Sequence, residues 1–207
     1  MIYSKFSKRQ LMAMLWWQQK RYKDRDAIIA DGSIRSGKTV SMTDGFVLWS
    51  MTCFNHQAFA ICGKTIESLR RNVVLPLRDW LPGDFTIVEK RNENRLIIST
   101  PDGRENSYHL FGGRDESSYM LIQGMTLAGV MFDEVALMPR SFVEQACARC
   151  SVPGSKYWFN CNPSSPEHWF YKEWVKKHKE KNALRLHFTM DDNLALDASI
   201  KARYESM

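Results

Sequence analysis

Eight residues, Gly32 to Thr39, have the types and the spacing of a loop that binds phosphate. They read Gly-Ser-Ile-Arg-Ser-Gly-Lys-Thr and fit the pattern G-x-x-x-x-G-K-[ST] without a mismatch. The two glycines let such a loop turn with its backbone N–H groups pointing inward, which forms a cradle for phosphate oxygens. We expect Lys38 to reach the terminal phosphates of a nucleotide and the Thr39 hydroxyl to hold Mg²⁺. The predicted phosphate-binding residues are Gly32, Ser33, Ile34, Arg35, Ser36, Gly37, Lys38 and Thr39.

A second candidate site lies in the stretch Leu127 to Glu134, where a mostly apolar run ends in Asp133 and Glu134. This pattern predicts a buried strand with two carboxylates at its carboxyl end, which is where ligands bind in open α/β sheets. Together with a phosphate loop, it leads us to expect that Asp133 holds Mg²⁺ through water and that Glu134 polarises an attacking water. The alternative is a strand that leaves the core into a charged loop.

A third motif, Tyr157 to Pro163, predicts a strand that ends in two amides, Asn160 and Asn162, beside a proline. An amide in this position can hydrogen-bond to a terminal phosphate or to the attacking water, and so report hydrolysis to distant parts of the molecule. The alternative is that Asn162 closes an Asx turn before Pro163.

The elements that must position these motifs alternate between buried strands and helices. Apolar runs and turn residues predict strands over 26–31, 58–63, 85–90, 95–100, 108–111, 126–133, 156–161 and 184–188. Helical periodicity predicts helices over 9–23, 40–52, 65–80, 141–149, 167–180 and 197–206. Because strands and helices alternate around a phosphate loop, we expect an α/β fold of the P-loop NTPase class. Its mostly parallel sheet would be flanked by helices, with a β-hairpin insertion over 85–100.

Composition narrows the class of protein. A chain of 207 residues suits one α/β domain, and no apolar run of about 18 residues suggests a membrane span. Five cysteines without the spacing of a disulfide framework suggest a reducing compartment, and the net charge of +6 fits a polyanionic partner. No second C-x-x-C pair follows Cys147 and Cys150, so we expect buried thiols there rather than a zinc or redox site.

The three motifs together resemble those of the large terminase subunits of tailed bacteriophages, and the match looks closest to the prophage-type branch. The resemblance covers roughly residues 25–195 and includes the strand Val-Met-Phe-Asp-Glu-Val-Ala-Leu-Met-Pro. An arginine inside the phosphate loop, here Arg35, is typical of this family. So is an Asn-Pro pair followed by His-Trp, here Asn162-Pro163 and His168-Trp169.

The resemblance implies an ATPase that uses ATP and Mg²⁺ to drive double-stranded DNA into a preformed capsid. Its expected partners are DNA, the portal protein of the procapsid and the small terminase subunit. The chain would be a monomer when free and form a homo-oligomeric ring on assembly, in the host cytoplasm at the portal. Residues 1–190 would form the motor domain and 191–207 the start of a linker. Because the predicted last helix still runs at Met207, we expect nuclease activity only in a C-terminal domain of a longer protein.

The resemblance also implies roles for single residues. Asn160 and Asn162 would form the coupling motif, and a glutamine near the N-terminus, here Gln10, would contact adenine. The alternative for Gln10 is a solvated position on a helix.

Relatives often carry Arg-Gly shortly before the Asp-Glu strand, and that arginine is assigned to the neighbouring subunit's site. Gln123-Gly124 occupies this place here, and a glutamine supplies no positive charge. We therefore expect Arg114 to act in trans or Arg35 to act in cis.

A basic stretch contains aromatic residues and is a candidate DNA contact, with a solvated helix face as the alternative. Its contacts would be with phosphates and largely independent of sequence. The stretch comprises Tyr171, Lys172, Trp174, Lys176, Lys177, Lys179 and Lys181.

Two other functions fit part of the pattern. A helicase-like or repair ATPase of the same fold would need a second core domain with arginine fingers. A regulatory module that binds a nucleotide without hydrolysing it would not need Glu134 beside Asp133.

Overall fold

The computed structural model describes residues 6–81, 83–162 and 165–205, which form an eight-stranded sheet with helices packed on both faces. The strands are β1 (Ala27–Gly32), β2 (Ala58–Gly63), β3 (Thr86–Lys90), β4 (Arg95–Ser99), β5 (Glu105–Gly112), β6 (Gly129–Phe132), β7 (Lys156–Cys161) and β8 (Ala183–Phe188). The α-helices are α1 (Lys8–Leu15), α2 (Lys38–Cys53), α3 (Ile66–Leu69), α4 (Leu75–Trp80), α5 (Arg140–Ala148) and α6 (Ala198–Glu205). A π-helical turn, Arg70–Val74, joins α3 to α4.

The order of the strands brings the three motifs to one edge of the sheet. The order is β3-β4-β5-β2-β6-β7-β1-β8. In the part of this order that runs from β5 through β2, β6, β7 and β1 to β8, each strand is parallel to its neighbours. Strand β4 is antiparallel to both β3 and β5. This confirms the predicted α/β fold with a mostly parallel sheet and a hairpin. Because β7 lies between β6 and β1, the residues that follow these three strands must be neighbours in space.

Alternation along the strands divides the core into two apolar layers. Ile28 and Ala30 of β1 face one layer, whereas Ala27 and Ile29 face the other. The first layer is filled by large rings from α2, the sheet and the turn after α1. In the second layer the rings of Phe132 and Phe159 stack at 5.2 Å beneath α5 and the segment around residue 170. The rings of the first layer are Trp16, Phe46, Trp49, Phe59, Tyr108 and Trp158.

The strand that precedes the phosphate loop is anchored by a buried ion cluster. Asp31 is fully buried, and its two carboxylate oxygens accept hydrogen bonds of 2.9 and 2.8 Å from Arg185 on β8. His187 lies 3.0 Å from the same carboxylate. Burial alone would raise the pKa of Asp31, but its hydrogen bonds with Arg185 and His187 hold that pKa below its usual value. The end of β1 is therefore held firmly against β8, the last strand of the sheet.

The predicted helix over 9–23 is wrong in length. The α-helix ends at Leu15 and tightens into the 3₁₀ turn Trp16–Gln18. Both Trp16 and Trp17 are buried, and the Trp17 indole donates to the Met14 carbonyl at 2.9 Å. The chain leaves the regular helical path at this turn, and both rings pack in the first core layer. Leu11 of α1 is 43% exposed.

The predicted helix over 167–180 is wrong in its length and type. Residues 169–170 are helical and continue into the π-helical turn Tyr171–Val175, which is followed by turns up to β8. The turn places the Trp174 ring 4.5 Å from the Phe159 ring, and Val175 is buried. Packing of aromatic rings on β7 therefore overrides the helical pattern of the sequence. Among the described residues, no helix is long and apolar enough to cross a bilayer.

Candidate active site

Sterics require the two glycines of the loop between β1 and α2. Gly32 has φ 133°, and a Cβ there would lie 1.9 Å from the Phe188 carbonyl oxygen on β8. Gly37 caps α2 with φ 79°, and a Cβ there would lie 2.3 Å from Nε2 of Gln10. An L side chain at either position would clash with its neighbour. The N-terminus of α2 is directed at the loop, where its dipole favours an anion.

Lys38 lies inside this loop. It is 5% exposed, and its Nζ donates to the carbonyls of Ser33 at 2.5 Å and Gly32 at 3.2 Å and to Oγ of Ser36 at 3.2 Å. Burial lowers the pKa of Lys38 to about 8, although nearby acidic groups oppose this shift. The ammonium group is thus held at the loop by carbonyl oxygens that phosphate oxygens can replace.

Asn160 joins the first two motifs in space. Its Nδ2 donates to Oδ1 of Asp133 at 2.7 Å and to Oγ1 of Thr39 at 2.9 Å, and Thr39 Oγ1 lies 3.4 Å from Asp133 Oδ1. Asn160 is 3% exposed and Asp133 is 5% exposed. Burial raises the pKa of Asp133 to about 6, while the hydrogen bond from Asn160 acts in the opposite direction.

The hydroxyl of Thr39 and the carboxylate of Asp133 fit a site for Mg²⁺. Mg²⁺ prefers oxygen ligands and usually keeps several waters. The two oxygens lie 3.4 Å apart, so the hydroxyl of Thr39 could bind the metal while the carboxylate of Asp133 holds one of its waters. When bound, the metal would neutralise charge on the phosphates and hold them in place.

Glu134 has a strained backbone at the mouth of the same pocket. Its φ and ψ are 55° and 53°, a left-handed conformation that costs a non-glycine residue about 1–2 kcal/mol. Its carbonyl accepts the Leu137 N–H at 2.9 Å, which starts the 3₁₀ turn Val135–Leu137. Glu134 lines the pocket together with Lys38, Thr39 and Asn160. Strain of this kind is often retained at functional sites, where the fold compensates for it.

Asn162 contributes a buried oxygen that has no hydrogen-bond partner among the described residues. Its side chain lines the same pocket. Buried amide oxygens are normally paired, so an unpaired one in a pocket is available to a ligand or to water. The sensor role of Asn160 and Asn162 stays a prediction, and Pro163, which follows them, lies outside the described residues.

Gln10 is not a solvated residue, as the alternative interpretation would have it. It is 6% exposed, and its Oε1 accepts the Ser7 N–H at 2.9 Å in a capping box at the start of α1. Its Nε2 packs against Gly37 of the phosphate loop. This position brings Gln10 next to the loop, and its contact with adenine stays a prediction.

The two candidate arginines lie in different places. Arg35 lines the pocket with φ 61°, and its guanidinium carbon lies 5.6 Å from the centre of the Tyr204 ring. Arg114 is exposed, its carbonyl accepts a hydrogen bond from Lys64 at 2.7 Å, and it is absent from the residues that line the pocket in the described part of the chain. Arg35 therefore lies in the pocket of its own chain and Arg114 does not line that pocket, and the roles of both arginines stay predictions.

Lysines of the basic stretch after β7 form ion pairs and cation–π contacts with nearby residues. Lys172 pairs with Glu167, and Lys177 pairs with Glu173 at 3.2 Å. Two further lysines lie over aromatic rings, Lys176 over Tyr171 and Lys181 over Trp174. These contacts fit a solvated surface as well as a DNA contact, so both interpretations stay open.

Cys147 and Cys150 are free thiols. Burial raises the pKa of Cys150 to about 12 and raises that of Cys147 well above its ordinary value. In the part of the chain that the structure describes, no group of three or more histidine, cysteine or acidic residues could hold a metal ion.

Sequence reasoning missed Asn193, which also lines the pocket. It follows β8 and lies in the segment that we predicted to be a linker. Its Nδ2 donates to the Arg35 carbonyl at 2.8 Å. An asparagine in a polar loop carries no signal of its own, because only the fold brings it to the phosphate loop.

Comparison with known proteins identifies the family. The family model for the N-terminal part of terminase large subunits of T4likevirus type matches residues 29–205. The chain belongs to the terminase large-subunit family. The family model is of the T4-like type, and the more specific assignment of this terminase chain to the prophage-type branch stays a prediction. A search of curated proteins finds no match.

Solved structures agree with this assignment. The large terminase of a thermophilic bacteriophage is 54% identical, with a TM-score of 0.93 over 98% of this chain and 50% of that one. Two further crystal structures of the same thermophilic-phage protein, in complex with ADP and with ATP-γ-S, are each 52% identical and cover 97% of this chain, with TM-scores of 0.92 and 0.90. The matched part is 50% and 49% of the thermophilic-phage chain, so this terminase chain spans about half the length of that relative. The large terminase of bacteriophage HK97 shares the fold, with 12% identity and a TM-score of 0.58 over 89% of this chain and 39% of that one.

Proposed function

We propose that this terminase chain binds Mg-ATP in the pocket between the phosphate loop and Asn162, and hydrolyses it with Glu134 as the base. The observation that carries the proposal is the contact of Asn160 with both Thr39 and Asp133, beside a strained Glu134. A site that only held a nucleotide would not need a carboxylate next to the metal ligands. The nucleotide complexes of the thermophilic-phage relative support the choice of ligand.

Each residue of the pocket has a separate role in hydrolysis. The Lys38 ammonium leaves the loop carbonyls and binds phosphate oxygens, while the loop N–H groups and the α2 N-terminus hold the remaining charge. Glu134 accepts the proton of a water whose oxygen attacks the γ-phosphorus as the bond to the ADP oxygen breaks. Arg35 lies where it can stabilise the charge that spreads over the γ-phosphate oxygens, and Asn162 can bond the water or the released phosphate.

We propose further that the whole protein couples this reaction to the movement of double-stranded DNA into a procapsid in the host cytoplasm. Its partners would be the portal protein, the small terminase subunit and other copies of the chain in a ring. The family and the positive net charge of +6 support these partners. The test is an assay of phosphate release with and without DNA, for the chain alone and with portal-bearing procapsids. Stimulation by both additions supports the proposal, and an unchanged rate with both contradicts it.

The Asn160 side chain should tune the affinity for Mg²⁺. In Asn160→Ala, Asp133 loses its hydrogen-bond donor, and residues that orient metal ligands typically change metal affinity about 10- to 100-fold. We expect the Mg²⁺ concentration that gives half-maximal activity, at a fixed ATP concentration, to rise about tenfold. Asn106→Ala is the matched control, because Asn106 is equally buried but bonds to the Ser50 and Phe54 carbonyls far from the loop. An equal shift in both variants would show a general loss of order instead.

ATP affinity should fall as the pH rises above about 8, because that is where Lys38 loses its proton. Lys38 is charged below this pH, so the affinity for ATP is highest there. Above this pH the affinity decreases by up to about tenfold per pH unit. The phosphates of ATP and the Asp133 carboxylate have already lost their protons in this range. Titration calorimetry between pH 7.5 and about 9.5 measures the effect. The Lys38→Ala variant should give a flat profile, and a flat wild-type profile would contradict the assignment.

A mixing experiment separates the two candidate arginines. Glu134→Gln subunits have an inactive site and an intact Arg114. Arg114→Ala subunits have an intact site but cannot supply Arg114 to a neighbouring subunit. If Arg114 acts in trans, the mixture assembled on procapsids should regain ATPase activity that neither variant shows alone. An arginine supplied at the transition state accelerates hydrolysis by about 10³–10⁵. No recovery, together with an inactive Arg35→Ala, would assign the role to Arg35.

A further inference from the structure

The segment that follows β8 returns to the phosphate loop and contacts it with a side chain. Asn193 Nδ2 donates to the Arg35 carbonyl at 2.8 Å. The Asn193 Cγ atom would lie 3.9 Å from a Cβ at Gly37, so the amide is also in contact distance of the end of the loop. Asn193 lines the pocket together with Arg35, Gly37 and Lys38.

The bond falls at the point where the loop is least stable by itself. Arg35 has φ 61°, and a residue with a Cβ pays free energy to adopt this left-handed conformation. The peptide between Arg35 and Ser36 is planar and trans, so its carbonyl and its N–H point in opposite directions. A bond that fixes the Arg35 carbonyl therefore also fixes the direction of the Ser36 N–H, which belongs to the phosphate cradle.

Asn193 is itself held in place by its own segment. Its Oδ1 accepts the Ala195 N–H at 3.2 Å, and its own N–H donates to the Met190 carbonyl at 3.1 Å. The preceding residue, Asp192, accepts the Thr189 N–H at 2.8 Å and lies 3.5 Å from the Arg9 guanidinium on α1. The amide thus meets the loop from a fixed position, as a positioning group must.

A second contact joins the same segment to the same loop residue. The Arg35 guanidinium lies over the Tyr204 ring of α6, at 5.6 Å from the ring centre. The backbone and the side chain of Arg35 are therefore both held by residues that follow β8. The fold leads the chain back past the pocket between β8 and α6.

We propose that Asn193 is a positioning residue for nucleotide binding, which holds the Arg35–Ser36 peptide in the orientation that the phosphates require. The inference rests on the proposed nucleotide function of the pocket. Because the loop N–H groups cradle the α- and β-phosphates, which ATP and ADP share, the contribution of Asn193 is equal for both nucleotides.

The test compares wild type with Asn193→Ala and Asn193→Leu, the second of which keeps the size of the side chain and removes the donor. Titration calorimetry gives the Kd for Mg-ATP and Mg-ADP, and a melting curve without nucleotide reports on folding. We expect both Kd values to rise about tenfold, which corresponds to about 1.4 kcal/mol, with an unchanged melting temperature. The KM for ATP should rise in parallel with the Kd.

Asn182→Ala is the matched control. The Nδ2 of Asn182 also donates to a backbone carbonyl, that of Asp24 at 3.0 Å, but at the opposite end of β1. It should bind both nucleotides like wild type. Wild-type affinity in Asn193→Ala or Asn193→Leu, whatever their melting temperatures, would overturn the inference, as would equal weakening in Asn182→Ala. Failure of the wild-type chain to bind either nucleotide would instead contradict the proposed function.

Discussion

Glu134→Gln should bind Mg-ATP as wild type does and hydrolyse it at least about 100-fold more slowly, the scale of a lost general base. Glutamine keeps the shape of the side chain and fits the same left-handed backbone at φ 55°, but it has no basic oxygen to accept the proton of water. Phosphate release measures turnover, and a fluorescent ATP analogue measures binding.

Two further variants control for this result. Glu144→Gln removes an exposed carboxylate on α5 that pairs with Arg140 outside the pocket, and it should leave turnover unchanged. Asp133→Asn should make activity respond less to Mg²⁺ and should also weaken nucleotide binding. The reason is that Asp133 contacts Thr39 and Asn160 at the proposed metal position. If Glu134→Gln and Asp133→Asn behaved alike at saturating Mg²⁺, the division of roles between the two carboxylates would be wrong.

Lys38→Ala should weaken ATP binding about 10- to 100-fold, as expected for loss of a charged hydrogen-bond donor. Its turnover should fall further, by about 100- to 1,000-fold, because charge on the γ-phosphate oxygens increases in the transition state. Titration calorimetry and phosphate release separate the two effects.

Lys156→Ala is the control for loss of an ammonium group that is held by backbone carbonyls. Its Nζ likewise donates to two backbone carbonyls, those of Lys23 at 2.8 Å and Arg25 at 2.6 Å, at the other edge of the sheet. It should lower the melting temperature and leave ATP affinity unchanged. Wild-type turnover by Lys38→Ala would contradict the assignment of the phosphate loop.

Local sequence was sufficient to predict the elements that carry the site. The glycine spacing of the loop, the apolar run before Asp133 and the apolar run before Asn160 each encode a strand and a turn within a few residues. The hairpin was predictable for the same reason, since β3 and β4 are joined by a short turn at Asn94. The family resemblance supplied the expected roles of single residues.

Contacts between distant parts of the chain could not be predicted in this way. The position of β7 between β6 and β1 decides that Asn160 touches both Thr39 and Asp133, and no local pattern contains the order of strands. The bond from Asn193 to Arg35 spans more than 150 residues of sequence and depends on the path after β8. The early end of α1 depends on core space for the Trp16 ring, which packs edge-on against Trp158 at 5.6 Å.

Single-turnover hydrolysis tests the central proposal most directly. The chain is mixed in excess over γ-labelled ATP and Mg²⁺, and the reaction is quenched at intervals, so that even a slow monomer reveals its chemistry. We expect wild type to convert the bound ATP to ADP and labelled phosphate only when Mg²⁺ is present, whereas Glu134→Gln holds ATP intact. A wild-type chain that binds Mg-ATP and leaves it unhydrolysed, or a Glu134→Gln variant that releases phosphate at the wild-type rate, would contradict it.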